Sequence, residues 1–167
     1  LNESNYLINL NQYTLTVHLN NDDQYECNNT LEKAKYIPLD TLITAYLIGY
    51  DILSIKNHFD LDYYKVFVPS KGKLDIDLPL VPHDSDFVLQ VTLYDTLGNL
   101  LAQDCICGNT WLTEYIQTII CDPGTYIIRV FEWNGMSSLD PYKMVVRFTH
   151  DPSECNDNLE DAYPIEN

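Results

Sequence analysis

The nine residues ECNNTLEKA at positions 26–34 return 128 positions later as ECNDNLEDA, with six of nine letters unchanged. Before each copy lies a stretch that alternates with period two. Tyr13, Leu15, Val17 and Leu19 alternate with Thr14, Thr16 and His18, while Tyr142, Met144, Val146 and Phe148 alternate with Lys143, Val145 and Arg147. Such alternation is the mark of a strand with one buried face. One strand earlier, NYLINL at residues 5–10 resembles TYIIRV at residues 125–130. Three features recurring in the same order argue for an internal repeat rather than a coincidence in an Asn- and Asp-rich chain. The chain is therefore expected to be a window on a tandem array. Residues 1–21 read as the last strands of a preceding repeat, or as strands used in assembly. Residues 22–150 read as one full unit, and residues 151–167 as the start of a following repeat or a linker.

Inside that unit nearly every segment has strand character. KLDIDL places Leu74, Ile76 and Leu78 on one face and Lys73, Asp75 and Asp77 on the other. DYYKVFV, FVLQVTLY, WLTEYIQTII, TYIIRVF and YKMVVRFT are rich in aromatic and β-branched residues. Turn chemistry separates them at Pro69-Ser70-Lys71-Gly72, Asp95-Thr96-Leu97-Gly98-Asn99, Asp122-Pro123-Gly124 and Asn134-Gly135. Short strands at this spacing point to an all-β sandwich or barrel, and an antiparallel β-sandwich is the fold expected. The one helical candidate is TLEKA, with Asn29 as its cap and Glu32 reaching back. Asp75 and Asp77 read as plain solvent-facing strand positions.

Charge narrows the partners. With 9 Lys and Arg against 25 Asp and Glu, the net charge is −16. Nucleic acid and anionic membrane surfaces repel such a chain, whereas cations are drawn to it. No apolar run approaches the roughly 18 residues needed to span a bilayer, so no membrane insertion is expected. The start at Leu1, without initiator Met, signal peptide or lipidation motif, reads as that of a processed or excised fragment.

ECNNTLEKA, FDLDYYKVFVPSKGKLDIDL, FVLQVTLYDTLGNLLA, and PGTYIIRVF followed by DPYKMVVRF resemble, in that order, the motifs of the bacterial pre-peptidase C-terminal domain. That family is a jelly-roll-like β-sandwich. The resemblance covers residues 26 to 149. The chain departs from the family by carrying Cys27 where proline is usual, and by the cysteine-bearing segment DCICGNTWLTEYIQTIIC. The resemblance implies a non-catalytic appendage of secreted proteins, often repeated. Some members bind collagen or polysaccharide, and several bind calcium at the lead-in segment.

Glu26, Asn28, Asn29, Asp60 and Asp62 are hard oxygen donors of the kind calcium takes in sixes to eights. Asp60 and Asp62, two apart at a strand start, point the same way. In the family the lead-in lies beside that strand start, and the resemblance thus supports these five as ligands. The competing reading is a helix cap at Asn29 with a solvated acidic edge. Glu154, Asn156 and Asp157 would be the corresponding half-site of a following unit. Among the five cysteines, Cys27, Cys105, Cys107 and Cys121 are expected to form two disulfides within the unit, leaving Cys155, the counterpart of Cys27, to pair elsewhere or stay free. A zinc site at Cys105 and Cys107 competes, but C-x-C is a poor zinc spacing.

Catalytic motifs are missing from the sequence, and His18, His58, His83 and His150 are scattered, so the chain is not read as an enzyme. Trp111 and Trp133 are candidates for stacking on sugar rings, against the plainer reading that they cover the core. Two functions compete. One is an extracellular, calcium-stabilised structural or adhesive repeat of a cell-surface protein or fibre, contacting neighbouring repeats or copies of itself head to tail. The other is a substrate-targeting module of a secreted hydrolase, binding collagen or polysaccharide. A contiguous row of exposed aromatics on one sheet face favours the second.

Overall fold

The structure, a computed structural model, describes residues 23–48, 60–82, 87–106, 114–156 and 162. The strands expected at residues 5–10 and 13–19 lie outside these residues, as do Cys107, Trp111 and Asp157.

A single-turn 3-10 helix, Leu31–Lys33, precedes nine strands: β1 (Lys35–Tyr36), β2 (Ile43–Ala45), β3 (Leu61–Val68), β4 (Gly72–Leu80), β5 (Leu89–Tyr94), β6 (Leu100–Ile106), β7 (Glu114–Ile120), β8 (Gly124–Glu132) and β9 (Tyr142–His150). They form a five-stranded sheet, β1-β3-β8-β5-β6, and a four-stranded sheet, β2-β9-β4-β7. Every pairing is antiparallel except β1 with β3. Of the connections from β3 onward, only β5 to β6 stays within one sheet, and the others cross the sandwich. The antiparallel β-sandwich expected from the alternation is thus the fold.

Alternation explains the core directly. Tyr64, Val66 and Val68 of β3, Leu74, Ile76 and Leu78 of β4, Leu89, Val91 and Leu93 of β5, Ile128 and Val130 of β8, and Tyr142, Met144 and Val146 of β9 form one buried cluster between the sheets. Their outward neighbours are half-exposed. On the four-stranded sheet these include Lys73 paired with Asp75 at 3.1 Å, and Arg147 paired with Asp77. Asp75 also accepts a bond from the Gln117 amide at 2.9 Å. Asp75 and Asp77 are therefore the solvent-side strand positions the sequence predicts.

Two expectations are corrected. The short helix is capped at Thr30, in extended conformation and with no side-chain cap bond, rather than at Asn29. Only three residues are helical.

The cysteine pairing also differs, because Cys121 is bonded to Cys155, with a Cα–Cα distance of 5.5 Å. Cys121 is therefore not paired with Cys27, Cys105 or Cys107, and Cys27 is an exposed free thiol. The topology supplies the reason. Gly72 of β4 is registered between Ile120 of β7 and His150 of β9. The chain leaving β9 passes directly over it, with the Asp151 amide bonded to the Lys71 carbonyl at 3.2 Å. A Cβ on Gly72 would lie 2.2 Å from the Thr149 carbonyl oxygen, so only glycine leaves room for this crossing. The crossing carries Cys155 to the end of β7, where Cys121 follows.

The bridge encloses a sequence separation of 34 residues. Replacing both Cys121 and Cys155 by Ser should lower unfolding stability by roughly 2–4 kcal/mol. Urea denaturation tests this. Reductant should reproduce the loss in the parent chain and leave the double variant unchanged.

Candidate metal centre

The lead-in segment is built from local hydrogen bonds. Asp23 closes a turn by accepting the Tyr25 amide at 3.0 Å on one oxygen, and its other oxygen reaches across to the Tyr46 amide at 2.8 Å. The Asn28 carbonyl accepts the Tyr63 amide at 3.1 Å, which lays the lead-in against the start of β3. Tyr25 packs edge-on to Tyr64, their ring centres 5.7 Å apart.

This brings three carboxylates together. Single oxygens of Glu26, Asp60 and Asp62 all lie within 4.8 Å of one another. Asp62 points to the core side of β3 and is 1% exposed. Its Oδ2 accepts a bond from the Tyr142 hydroxyl of β9, and that hydroxyl is 2.6 Å from the hydroxyl of Tyr64. Oδ2 of Asp60 accepts the Ile48 amide at 2.6 Å. In both aspartates the remaining oxygen, Oδ1, is buried and has no hydrogen-bond partner among the described residues. The same holds for both polar atoms of the Asn28 side chain, in a residue that is 0% exposed.

A buried acceptor left unpaired costs about 1–3 kcal/mol. Two like charges about 5 Å apart repel by roughly 3 kcal/mol at an effective dielectric of about 20. Domains are stable by only about 5–15 kcal/mol, so three ionised carboxylates here need either protons or a cation. Without a cation all three hold protons more tightly than usual. Burial, with help from Asp60 and Asp23, pushes Glu26 up to about 7. Burial also raises Asp60, and it pushes Asp62 well above the carboxylate range despite the opposing bond from Tyr142.

Of the five predicted ligands, the structure brings Glu26, Asp60 and Asp62 together and buries Asn28. Asn29 is exposed, with its side chain close to that of Asp60. Asp23 was not foreseen, although the acidic pair Asp22-Asp23 just ahead of the lead-in was a visible signal. The supporting roles of Tyr64 and Tyr142 gave no signal beyond core alternation. Trp133 is 63% exposed and lies on the outer side of the five-stranded sheet, tilted 6.0 Å from Phe131.

The turn ahead of the second copy of the motif is like that ahead of the first, although Asn28 is buried and Asn156 is exposed. Ser153 donates its amide to Asp151 Oδ1 at 3.0 Å, as Tyr25 does to Asp23. Glu154 and Asn156 thus occupy the places of Glu26 and Asn28 in the same turn.

No family model matches the chain, and no curated protein matches it. Among solved structures, it is similar to the pre-peptidase C-terminal domain of a collagenase from Bacillus anthracis. The two are 25% identical, the match covers 72% of this chain and 100% of that one, and the TM-score is 0.49. It is also similar to CorA, a surface-associated copper-binding protein of Methylomicrobium album BG8, with 8% identity, 70% and 98% coverage and a TM-score of 0.50. A third neighbour is PliG of Aeromonas hydrophila, a periplasmic inhibitor of g-type lysozyme, with 9% identity, 70% and 97% coverage and a TM-score of 0.48. The likeness to CorA is one of fold alone.

The raised carboxylates set a pH dependence. Below about 4.5, the ordinary value for Glu26, folded and unfolded chains both keep the proton. Between there and about 7 the unfolded chain ionises first, so cation-free stability falls as pH rises. Asp60 and Asp62 act in the same direction. The turn carboxylates Asp95 and Asp151 are held below 3.8 by hydrogen bonds from Asn99 and Ser153, and act outside this window. Thermal melts in chelator should show a melting point that declines from pH 4.5 to 7. Asp62→Asn, which removes the buried charge, should flatten the decline.

Proposed function

We propose that the chain is a non-catalytic extracellular β-sandwich module whose lead-in segment is clamped to the sandwich by calcium. One observation carries the reading. Asp60 and Asp62 each have one oxygen fixed by the protein and the other buried and unpaired, and a third carboxylate, Glu26, is gathered with them within 4.8 Å. A hard dication satisfies both orphaned oxygens and removes the mutual repulsion in one step. Glu26, Asp60 and Asp62 would hold it, with the Asn28 amide as a further oxygen donor. Asp23 adds negative charge nearby, and the Tyr64–Tyr142 pair holds Asp62 in place from behind. The cation supplies charge neutralisation and a rigid joint between the lead-in and β3, not chemistry on a substrate.

The disulfide favours an oxidising, extracellular setting. The repeated lead-in supports a structural role in an array of such modules, in which each copy would clamp the unit that follows it. A second reading, substrate targeting, is favoured by the row of aromatic side chains on the outer side of the five-stranded sheet. In that reading the clamp orients the module while the sheet face binds.

Calorimetric titration with calcium at pH 7.5 should give saturable binding at one site, and calcium should raise the melting point. Binding at pH 6 should also release protons, read as a heat that changes with the ionisation enthalpy of the buffer. Asp60→Asn should weaken binding by at least about tenfold, because a charged ligand bond is worth roughly 1.5–3 kcal/mol. A melting point indifferent to both calcium and chelator would favour the solvated acidic edge instead.

A further inference from the structure

We infer that the outer face of the five-stranded sheet binds an acidic polysaccharide, a polymer carrying uronic acid residues. This rests on the targeting reading and names the ligand class for it. Register places the relevant side chains in one field. Along β8, Thr125, Ile127, Arg129 and Phe131 face outward, with Trp133 just beyond. Opposite them stand Phe67, Lys65, Tyr63 and Leu61 on β3, and on the other side Tyr94, Thr92 and Gln90 on β5. Tyr36 of β1 is registered with Lys65. A cavity of about 400 Å³ opens at one end of this field. Its floor includes Tyr63, Lys65 and Ile127, and its walls are Leu31 of the short helix and the Tyr94–Gly98 turn.

The charge of this face sets it apart from the rest of an acidic molecule. On the four-stranded sheet, Lys73 and Arg147 are neutralised by Asp75 and Asp77. Lys65 and Arg129 have no ion pair among the described residues. Lys65 lies 5.9 Å from the Tyr36 ring centre, and Arg129 lies 4.5 Å from that of Phe131 and 5.6 Å from that of Tyr94. The groove's own carboxylate, Asp95, stays ionised, but its oxygens are tied into its turn. It accepts the amides of Leu97 and Asn99 at 2.8 Å and the Asn99 side chain at 2.7 Å. Glu32 at the rim is exposed and answers Lys65 only at long range. Two cations thus lie near aromatic rings with no ion pair among the described residues.

Aromatic platforms, hydroxyls at Thr96 and Thr125, and a cationic centre match an acidic sugar. The ring's C–H face stacks, its hydroxyls bond, and its carboxylate meets the planar fork of Arg129. An extended peptide would instead add to a sheet edge, and this groove lies on a face whose backbone groups are already in the ladder.

The test is calorimetry at constant calcium with hyaluronan oligosaccharides as the acidic probe and dextran oligosaccharides as the neutral one. Only the acidic probe should bind, and binding should weaken as salt rises. Arg129→Gln, Lys65→Gln and Tyr94→Ala should each weaken it by about tenfold, while Lys73→Gln on the opposite sheet should change it by less than about twofold. Unchanged melting points would certify the variants as folded, and Lys65→Gln, the more exposed, stands if Arg129→Gln does not. Equal loss in Lys73→Gln would overturn the inference, as would binding of dextran or of a triple-helical peptide lost in Tyr94→Ala. That last outcome would leave the targeting reading standing. If neither probe nor peptide bound, the inference and the targeting reading would both fall, and the calcium clamp would be untouched.

Discussion

A carboxylate in the core governs this sandwich. Asp62 sits at a position of β3 where alternation calls for an apolar residue, and it is accommodated by Tyr142 from the opposite sheet and, through it, by Tyr64. Those three side chains tie β3 to β9 at the end of the sandwich where the lead-in arrives. Removing the Tyr142 hydroxyl would leave Asp62 with neither oxygen satisfied, and a buried charge without a partner is among the costlier defects a domain can carry. The lead-in, the loop after β2 and the start of β3 all converge on this point, because Asp23, Asp60 and the Asn28 carbonyl each take a backbone amide there. The two aspartates of the acidic cluster are each held in place by a bond to Oδ2. Their other oxygens define what the cluster can bind.

Alternation made the sandwich legible. KLDIDL, DYYKVFV and YKMVVRFT show one residue in two facing inward, and those are the residues that are buried. The same pattern held the outer binding field in plain sight. Tyr63, Lys65, Phe67, Arg129 and Phe131 are the other half of the β3 and β8 alternation, and a solvent-side run so rich in rings and cations was a signal in itself. Trp133 was singled out and the row behind it was not, because lateral neighbours depend on strand order, which alternation does not encode. The grouping of Glu26 with Asp60 and Asp62 came from a family resemblance. Asn29 does not cap the helix, which begins one residue later, at the extended Thr30. Cys121–Cys155 was hidden for a different reason: it depends on the chain crossing over Gly72, a long-range event that cysteine counting cannot reveal.

The two lead-ins separate what is local from what is not. Residues 23–28 and 151–156 share Asp, Glu, Cys and Asn at matching places, and they share the Asp-capped turn with the same 3.0 Å bond. Local sequence is enough for that. Their tethers differ. The first is held by the bond from Tyr63 of β3 to the Asn28 carbonyl and by the Asp23 carboxylate's bond from Tyr46 just after β2, the second by a disulfide to the end of β7. In the register that matches residues 5–10 with residues 125–130, Leu1 stands where Cys121 does, which accords with Cys27 remaining a free thiol. On the repeat reading, each lead-in would have two attachments. One is covalent, made backward to the unit it leaves, as Cys155 makes it here. The other would be ionic, made forward to the unit it enters, at the place Glu26 holds here. A joint held on both sides resists bending far better than a linker held on one. A clamp that depends on a cation would give an array of such units a stiffness set by the calcium around it.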